Sequence, residues 1–148
     1  MAKFTYKARK LSDLIVHEAD SPHIGYTRAD LNDSTVTVAG TDVLTLGTPV
    51  FRAKNGVAGT KWVPVKADTA LVATNEFALV IADRLGEQND VEGAGDHQVT
   101  LLVRGNVVVK DATVKAAANA VGLTVAGDQA NLIHLLKAQG IVAEITIA

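Results

Sequence analysis

The stretch from Val99 to Asp111, VTLLVRGNVVVKD, constrains the fold more than any other part of the chain. It consists of two runs of β-branched and aliphatic residues on either side of the pair Arg104-Gly105. Such residues favour strands, and a glycine between two strands supplies the backbone freedom that a turn needs. The stretch therefore predicts two strands around a turn. It also poses a question, because Arg104 is either a ligand-binding group or an outward-facing residue of the scaffold.

Several other segments have the same β character. FALVIA (residues 77–82) is a short continuous apolar run, which is typical of a strand buried on both faces. PVFRA and KWVPV flank a glycine-rich segment in which Asn55-Gly56 predicts a tight hairpin turn. Pro64 within KWVPV indicates an edge strand or the end of a strand. Residues 83–96 are polar and rich in glycine, so we predict a surface loop there.

The periodicity changes in the last third of the chain. Residues 128–139, DQANLIHLLKAQ, predict a core-facing helix with Asp128 as its N-cap, Lys137 in its last turn and Gly140 as a left-handed stop. The segment IVAEITI then predicts a final strand. For residues 112–120, a short helix and an extended alanine-rich connection both stay open. The apolar stripe of the predicted helix consists of Leu132, Ile133, Leu135 and Leu136.

These patterns together predict an α+β fold that is mostly β. We expect a small β-rich domain over residues 34–148 with one C-terminal helix, preceded by an extended N-terminal arm. The 148 residues suit a single domain, and a chain of this size can bury a sizeable core without disulfides.

Residues 1–33 are interpreted as that arm, ordered against a partner. Their polarity is mixed, their start is basic, and Pro22 and Gly25 interrupt any long element. The alternative is a strand and a loop packed on the chain's own domain. If the segment is an arm, removing residues 1–16 should leave folding intact and weaken binding to the partner. The apolar anchors for partner contact are Phe4, Tyr6, Leu11, Leu14 and Ile15.

Composition excludes several classes of protein. The formal net charge is −2, with 14 basic and 16 acidic residues, which is not the basic footprint of a nucleic-acid-binding domain. The chain has no cysteine, so it has neither disulfides nor thiolate metal sites. No stretch approaches the roughly 20 apolar residues of a membrane helix, and no apolar region follows the basic start as in a secretory signal. We therefore expect neither nucleic acid nor membrane as a partner.

The sequence contains no recognisable catalytic, cofactor-binding or metal site. No serine stands in a Gly-x-Ser-x-Gly turn, and no phosphate-binding loop is present. The acidic residues of 83–96 do not follow the calcium-loop order. We thus expect no enzymatic activity and no cofactor, and we interpret Arg104 and Gly105 as a structural turn in which the arginine reaches a carboxylate or carbonyl. The histidines, which lack metal-ligand spacing, are His17, His23, His97 and His134.

Seven motifs follow one another in a characteristic order over about residues 26–143: GYTRADL, STVTVAG, LTLGTPVFRA, KWVPV, FALVIAD, VTLLVRGNVVVKDA and NLIHLLKAQGIVA. In this order and spacing the chain resembles the lambda-type head decoration proteins of tailed bacteriophages. The resemblance implies a small β-rich domain that sits as homotrimers on the outside of an expanded capsid. Such proteins bind the major capsid protein and stabilise the shell against packaged DNA, without enzymatic activity or cofactors.

The same resemblance implies that the arm lies against the shell, where it can add a strand to a capsid sheet. The expected location is the outer capsid surface of the virion, after synthesis in the host bacterial cytoplasm. This chain departs from the family pattern in its longer, more basic arm and in the tail after Ile141. Two alternatives stay open: another self-assembling β subunit of a virion, such as a tail or spike component, or a small ligand-binding β domain.

Overall fold

A computed structural model provides the architecture. It describes residues 3–5, 13–18, 30–53, 61–69, 71–82, 89–105 and 107–144. Within these ranges the chain forms eleven strands and two helices. They are β1 (Lys3–Thr5), β2 (Ile15–Glu18), β3 (Asp30–Val38), β4 (Val43–Leu44), β5 (Pro49–Ala53), β6 (Val63–Pro64), β7 (Asn75–Ala82), β8 (Asp90–Glu92), β9 (Gly95–Arg104), β10 (Val107–Lys110), α1 (Asp111–Ala120), α2 (Ala126–Ala138) and β11 (Ile141–Glu144).

This content confirms the predicted fold class, a β-rich α+β domain with a C-terminal helix. The segment left open in the sequence, residues 112–120, is helical and belongs to α1. The strands form one five-stranded sheet in the order β3-β9-β7-β5-β6 and two three-stranded sheets, β1-β8-β4 and β11-β10-β2.

The five-stranded sheet curls into a nearly closed barrel. Trp62, directly before β6, bridges to Val36 of β3. Two backbone hydrogen bonds hold this seam, one from Thr37 N–H to Trp62 O (2.8 Å) and one from Trp62 N–H to Thr35 O (3.0 Å). The apolar side chains that these strands turn to the barrel interior form one core cluster, which includes Val36, Val50, Trp62, Ala78, Val80, Val99, Leu101 and Val103.

A second apolar core lies between the barrel and the two helices. Strand β7 serves both cores, because Phe77, Leu79 and Ile81 face the helices while Ala78 and Val80 face the barrel interior. The prediction that FALVIA is a strand buried on both faces is therefore confirmed. Helical members of this second core include Val114, Ala118, Leu132 and Leu136.

The barrel seam is reinforced by a surface ion pair. The Lys61 ammonium and the Thr37 hydroxyl both donate hydrogen bonds to the Asp96 carboxylate. The hydrogen bond from Lys61, and after it the bond from Thr37, lowers the pKa of Asp96 below the usual value for an aspartate. Asp96 thereby ties the start of β9 to β3 and to the residue before Trp62.

This pKa has a predictable consequence for acid stability. Because the folded-state pKa of Asp96 is lowered, its stabilising effect is fully present above the unfolded-state pKa of about 4 and is lost as the pH falls through the folded value. In urea unfolding between about pH 5 and pH 2, Asp96→Asn should therefore lose less stability than the wild type. Equal losses in the two proteins would show that the ion pair does not stabilise the seam.

The predicted helix is present, although its start differs from the prediction. Helix α2 begins at Ala126, its N-cap is Val125, and no side chain caps it. Asp128 lies in the first turn, so the assignment of Asp128 as N-cap is wrong; at that position its charge is favourable because it faces the positive end of the helix dipole. Lys137 in the last turn and the left-handed backbone of Gly140 (φ +87°) are confirmed.

The prediction of a surface loop over residues 83–96 is wrong in its second half. Asp90–Glu92 form β8, the central strand between β1 and β4, and β9 begins at Gly95. Val91 is almost wholly buried and completes the barrel core. A single apolar residue among polar neighbours was too short a signal for a strand. Residues 83–88 lie outside the described residues.

The predicted hairpin is seen only through its flanking strands. Asn55 and Gly56 lie outside the described residues, but β5 and β6 on either side pair antiparallel, with Val50 opposite Pro64. Pro64 is the last residue of β6, at the end of the sheet order, which confirms its prediction as a strand end.

The described part of residues 1–33 is hydrogen-bonded to the domain. Strand β2 pairs with β10, and β3 begins at Asp30, so the proposed boundary at residue 33 falls inside a strand. Leu14 is fully buried in the second core, and its carbonyl accepts a hydrogen bond from Lys110 N–H (2.8 Å). The assignment of Leu14 as a shell-contacting residue is wrong in this conformation, because its side chain is inside the core. Removal of residues 1–16 would therefore not leave folding intact.

The other anchors of the predicted arm have different positions. Ile15 is partly buried and packs against the second core. Phe4 belongs to β1, where it is opposite Val91 of β8. Tyr6 and Leu11 lie outside the described residues.

Candidate functional site

The turn at Arg104-Gly105 meets the end of α2 at a close backbone junction. Gly105 has a φ of +125°, and its N–H donates to Gln139 O (3.2 Å). Val107 N–H donates to Gly140 O (3.1 Å). The approach is so close that a Cβ atom added at Gly140 would lie 2.4 Å from Gly105 O. Gly105 and Gly140, which are 35 positions apart in the sequence, thus allow the two backbone segments to cross in direct contact.

The side chain of Gln139 completes this junction. Strands β7 and β9 pair from Leu79 opposite Leu102 onward, but not at the end that carries Phe77. There the Gln139 amide occupies the gap: its Oε1 accepts from Phe77 N–H (3.0 Å), and its Nε2 donates to Phe77 O (2.5 Å) and Val103 O (2.7 Å). The side chain thereby replaces the missing strand pairing. Nothing in the local sequence marks this glutamine.

Replacing Gln139 by leucine is expected to lower the free energy of unfolding by about 2–4 kcal/mol, because it leaves one N–H and two carbonyls without a partner. The measurement is urea unfolding followed by circular dichroism. The control is Gln98→Leu on the exposed side of β9, which should change stability by less than about 0.5 kcal/mol. Similar small effects for both variants would contradict the bridging role.

Arg104 contacts a carboxylate of its own fold. Its Nη2 lies 3.5 Å from Oε1 of Glu76, while Nε of Arg52 lies 3.1 Å from Oε2 of the same residue. Arg52 also stacks on Trp62, with its guanidinium carbon 4.4 Å from the ring centroid. The Glu76 side chain is only 12% exposed, so two arginines neutralise a largely buried carboxylate at the end of the barrel. This arrangement joins β5, β7 and β9 and has the geometry of a scaffold contact.

A separate cleft of about 570 Å³ lies between α1 and the small sheet formed by β8 and β4. Its chemical character is acidic, because Asp13, Asp90 and Glu92 line it and the described lining contains no lysine or arginine. Asp90 is fully buried. The remaining lining residues are Thr41, Val43, Thr45, Leu46, Ala112, Thr113, Ala116, Ala117 and Ala120.

The histidines play separate roles. His97 is buried, and its Nε2 lies 2.6 Å from Gly93 O, so it fastens the turn between β8 and β9. His134 is exposed on α2. His17 belongs to β2, and His23 lies outside the described residues. Across the part of the chain that the structure describes, no three histidine or acidic side chains form a group that could hold a metal ion.

Comparison with known proteins adds no relative: no family model, no curated protein and no solved structure matches the chain. Of the helices in the described ranges, neither is long and apolar enough to cross a membrane. The arrangement at the predicted turn is that of a scaffold junction in which Gly105, Gln139 and Gly140 hold strands and helix together.

Proposed function

We propose that this protein is a structural decoration protein that binds the outer surface of an expanded phage capsid as homotrimers. Its partners are then the major capsid protein and further copies of itself, and its location is the outer surface of the virion. In this role it stabilises the shell against the pressure of packaged DNA, without enzymatic activity or cofactors.

The observation that carries the proposal is the junction between two of the motifs on which the resemblance rests. VRG contributes Gly105, and KAQG contributes Gln139 and Gly140. These residues serve the scaffold: they shape one backbone crossing and bridge two strands. Because these two motifs meet at one junction of the fold, we interpret their order along the chain as a likeness of scaffold.

The physical requirements of such a role are modest. A standard interface buries about 1,600 Å² in total and needs no reactive groups. Copies that assemble side by side engage several shell subunits at once, so that moderate single contacts combine into firm attachment. Of the shell-contact residues predicted from the sequence, those that keep this assignment are Phe4, Tyr6 and Leu11, since Leu14 is in the second core and Ile15 packs against it.

Co-sedimentation tests the proposal. The purified chain is mixed with expanded shells of the major capsid protein encoded beside it, and unexpanded shells serve as the control. Saturable pelleting with expanded shells alone is the expected result. Pelleting with neither form would overturn the proposal and favour another self-assembling β subunit of a virion, which light scattering of the chain alone would detect as rings or fibres.

A further inference from the structure

The N-terminal strand β1 is held by a short pairing at the edge of its sheet. Three residue pairs join it antiparallel to β8: Lys3 with Glu92, Phe4 with Val91 and Thr5 with Asp90. Since a backbone hydrogen bond contributes little net stability, an attachment of three residue pairs is weak. The pairing of β3 with β9, by comparison, extends over nine residues.

Charge complementarity makes this chain's own N-terminal segment the occupant that fits the edge of β8. Residues 1–12 contain four basic residues and no acidic one. Strand β8 contributes Asp90 and Glu92 to the acidic cleft, and Asp13 lines the same cleft. The register also places the backbone of Lys3 opposite that of Glu92.

Chain length allows β1 to serve a second molecule. Seven residues separate Thr5 from Asp13, and a fully extended segment of that length spans roughly 25 Å. An identical β8 edge is present on every copy, so moving β1 from its own β8 to a neighbour's exchanges equal contacts at little cost.

We propose that in the assembled protein β1 of each copy pairs with β8 of a neighbouring copy, in the register seen within one chain. The exchange rests on the proposed function, because that function places copies side by side. The exchange fastens each copy to the next. Because β1 is covalently linked to its own domain, its effective concentration at β8 of the neighbouring copy is high.

The absence of cysteine from the chain permits a direct cross-linking test. Lys3→Cys protein is mixed with Glu92→Cys protein under mild oxidation, both at high concentration in solution and on expanded shells. The control mixture pairs Lys3→Cys with Lys61→Cys. Lys61 is exposed on the barrel seam, where it contacts Asp96, 35 residues further along the chain. A chain carrying both Lys3→Cys and Glu92→Cys verifies that the register pair cross-links.

Exchange predicts a disulfide-linked pair of chains in the first mixture, formed about tenfold faster than in the control mixture. The exchange would be overturned if the cross-linking rate of the first mixture were no higher than that of the control mixture both in solution and on expanded shells. It would also be overturned if the double variant, bound to expanded shells, formed disulfides only within one chain. Failure to pellet with shells counts instead against the proposed function, so the two failures are distinguishable.

Discussion

Gly140→Ala is expected to lower the free energy of unfolding by about 3–5 kcal/mol, which combines a strained backbone conformation with a steric clash. Gly140 has a φ of +87°, a region that side chains other than glycine rarely adopt. The new Cβ would lie 2.4 Å from Gly105 O and 3.0 Å from Gly105 C, and both atoms belong to the backbone. Relief therefore requires the end of α2 to move away from the turn, at the expense of the hydrogen bonds between them.

Gly122→Ala is the matched control. Gly122 also has a positive φ, +112°, but a Cβ atom there would meet nothing within 4 Å. It should show only the conformational penalty, of about 1–2 kcal/mol. Chemical denaturation of both variants measures the difference. Equal destabilisation would mean that the contact between Gly140 and Gly105 does not constrain the fold.

Leu14→Ala is expected to cost about 2–5 kcal/mol of unfolding free energy, the usual range for a fully buried leucine. Leu14 is 0% exposed and belongs to the core between barrel and helices. Val72→Ala serves as the control, because Val72 is 47% exposed and its truncation should change stability by about 0.5 kcal/mol or less. Thermal unfolding monitored by circular dichroism compares the two.

The result decides how the N-terminal region is attached. A large loss for Leu14→Ala means that residues around position 14 belong to the folded domain, so only the chain before them is available for exchange or shell contact. If Leu14→Ala resembles Val72→Ala instead, Leu14 is not packed in the second core and the N-terminal segment is a separate arm.

Local signals predicted the parts of the fold that depend on neighbours in sequence. The continuous apolar run FALVIA is the strand shared by both cores, and the apolar spacing in NLIHLLKAQ lies on α2. Positive φ values occur at Gly105 and Gly140, the two glycines placed at a turn and at a helix stop. In each case the residue type itself restricts the backbone or the burial pattern.

Contacts between distant segments left no such signal. Leu14 is buried because α1, β10 and the barrel meet around it, and none of these lies near it in sequence. The sequence predicts only that the helix extends to Gln139, and no local pattern indicates that the Gln139 amide bridges β7 and β9. Strand β8 consists of only three residues and depends on partners from β1 and β4. Such contacts can be identified only when the distant segments are seen together in the folded structure.

Arg104 contacts a carboxylate of its own fold. Its guanidinium shares the Glu76 carboxylate with Arg52, and the glycine beside it makes the backbone crossing with Gly140. The sequence predicts a structural turn at Arg104 because no recognisable catalytic or ligand motif accompanies it. The particular carboxylate could not be predicted, since it lies 28 residues away on another strand.

Cementing of the shell is the central claim, and it is tested most directly by the temperature at which expanded shells fall apart. Shells are heated with increasing amounts of the purified chain, and disruption is followed by light scattering. The account predicts that the disruption temperature rises with bound protein and levels off at saturation. A shell that binds the protein to saturation yet falls apart at an unchanged temperature would contradict it.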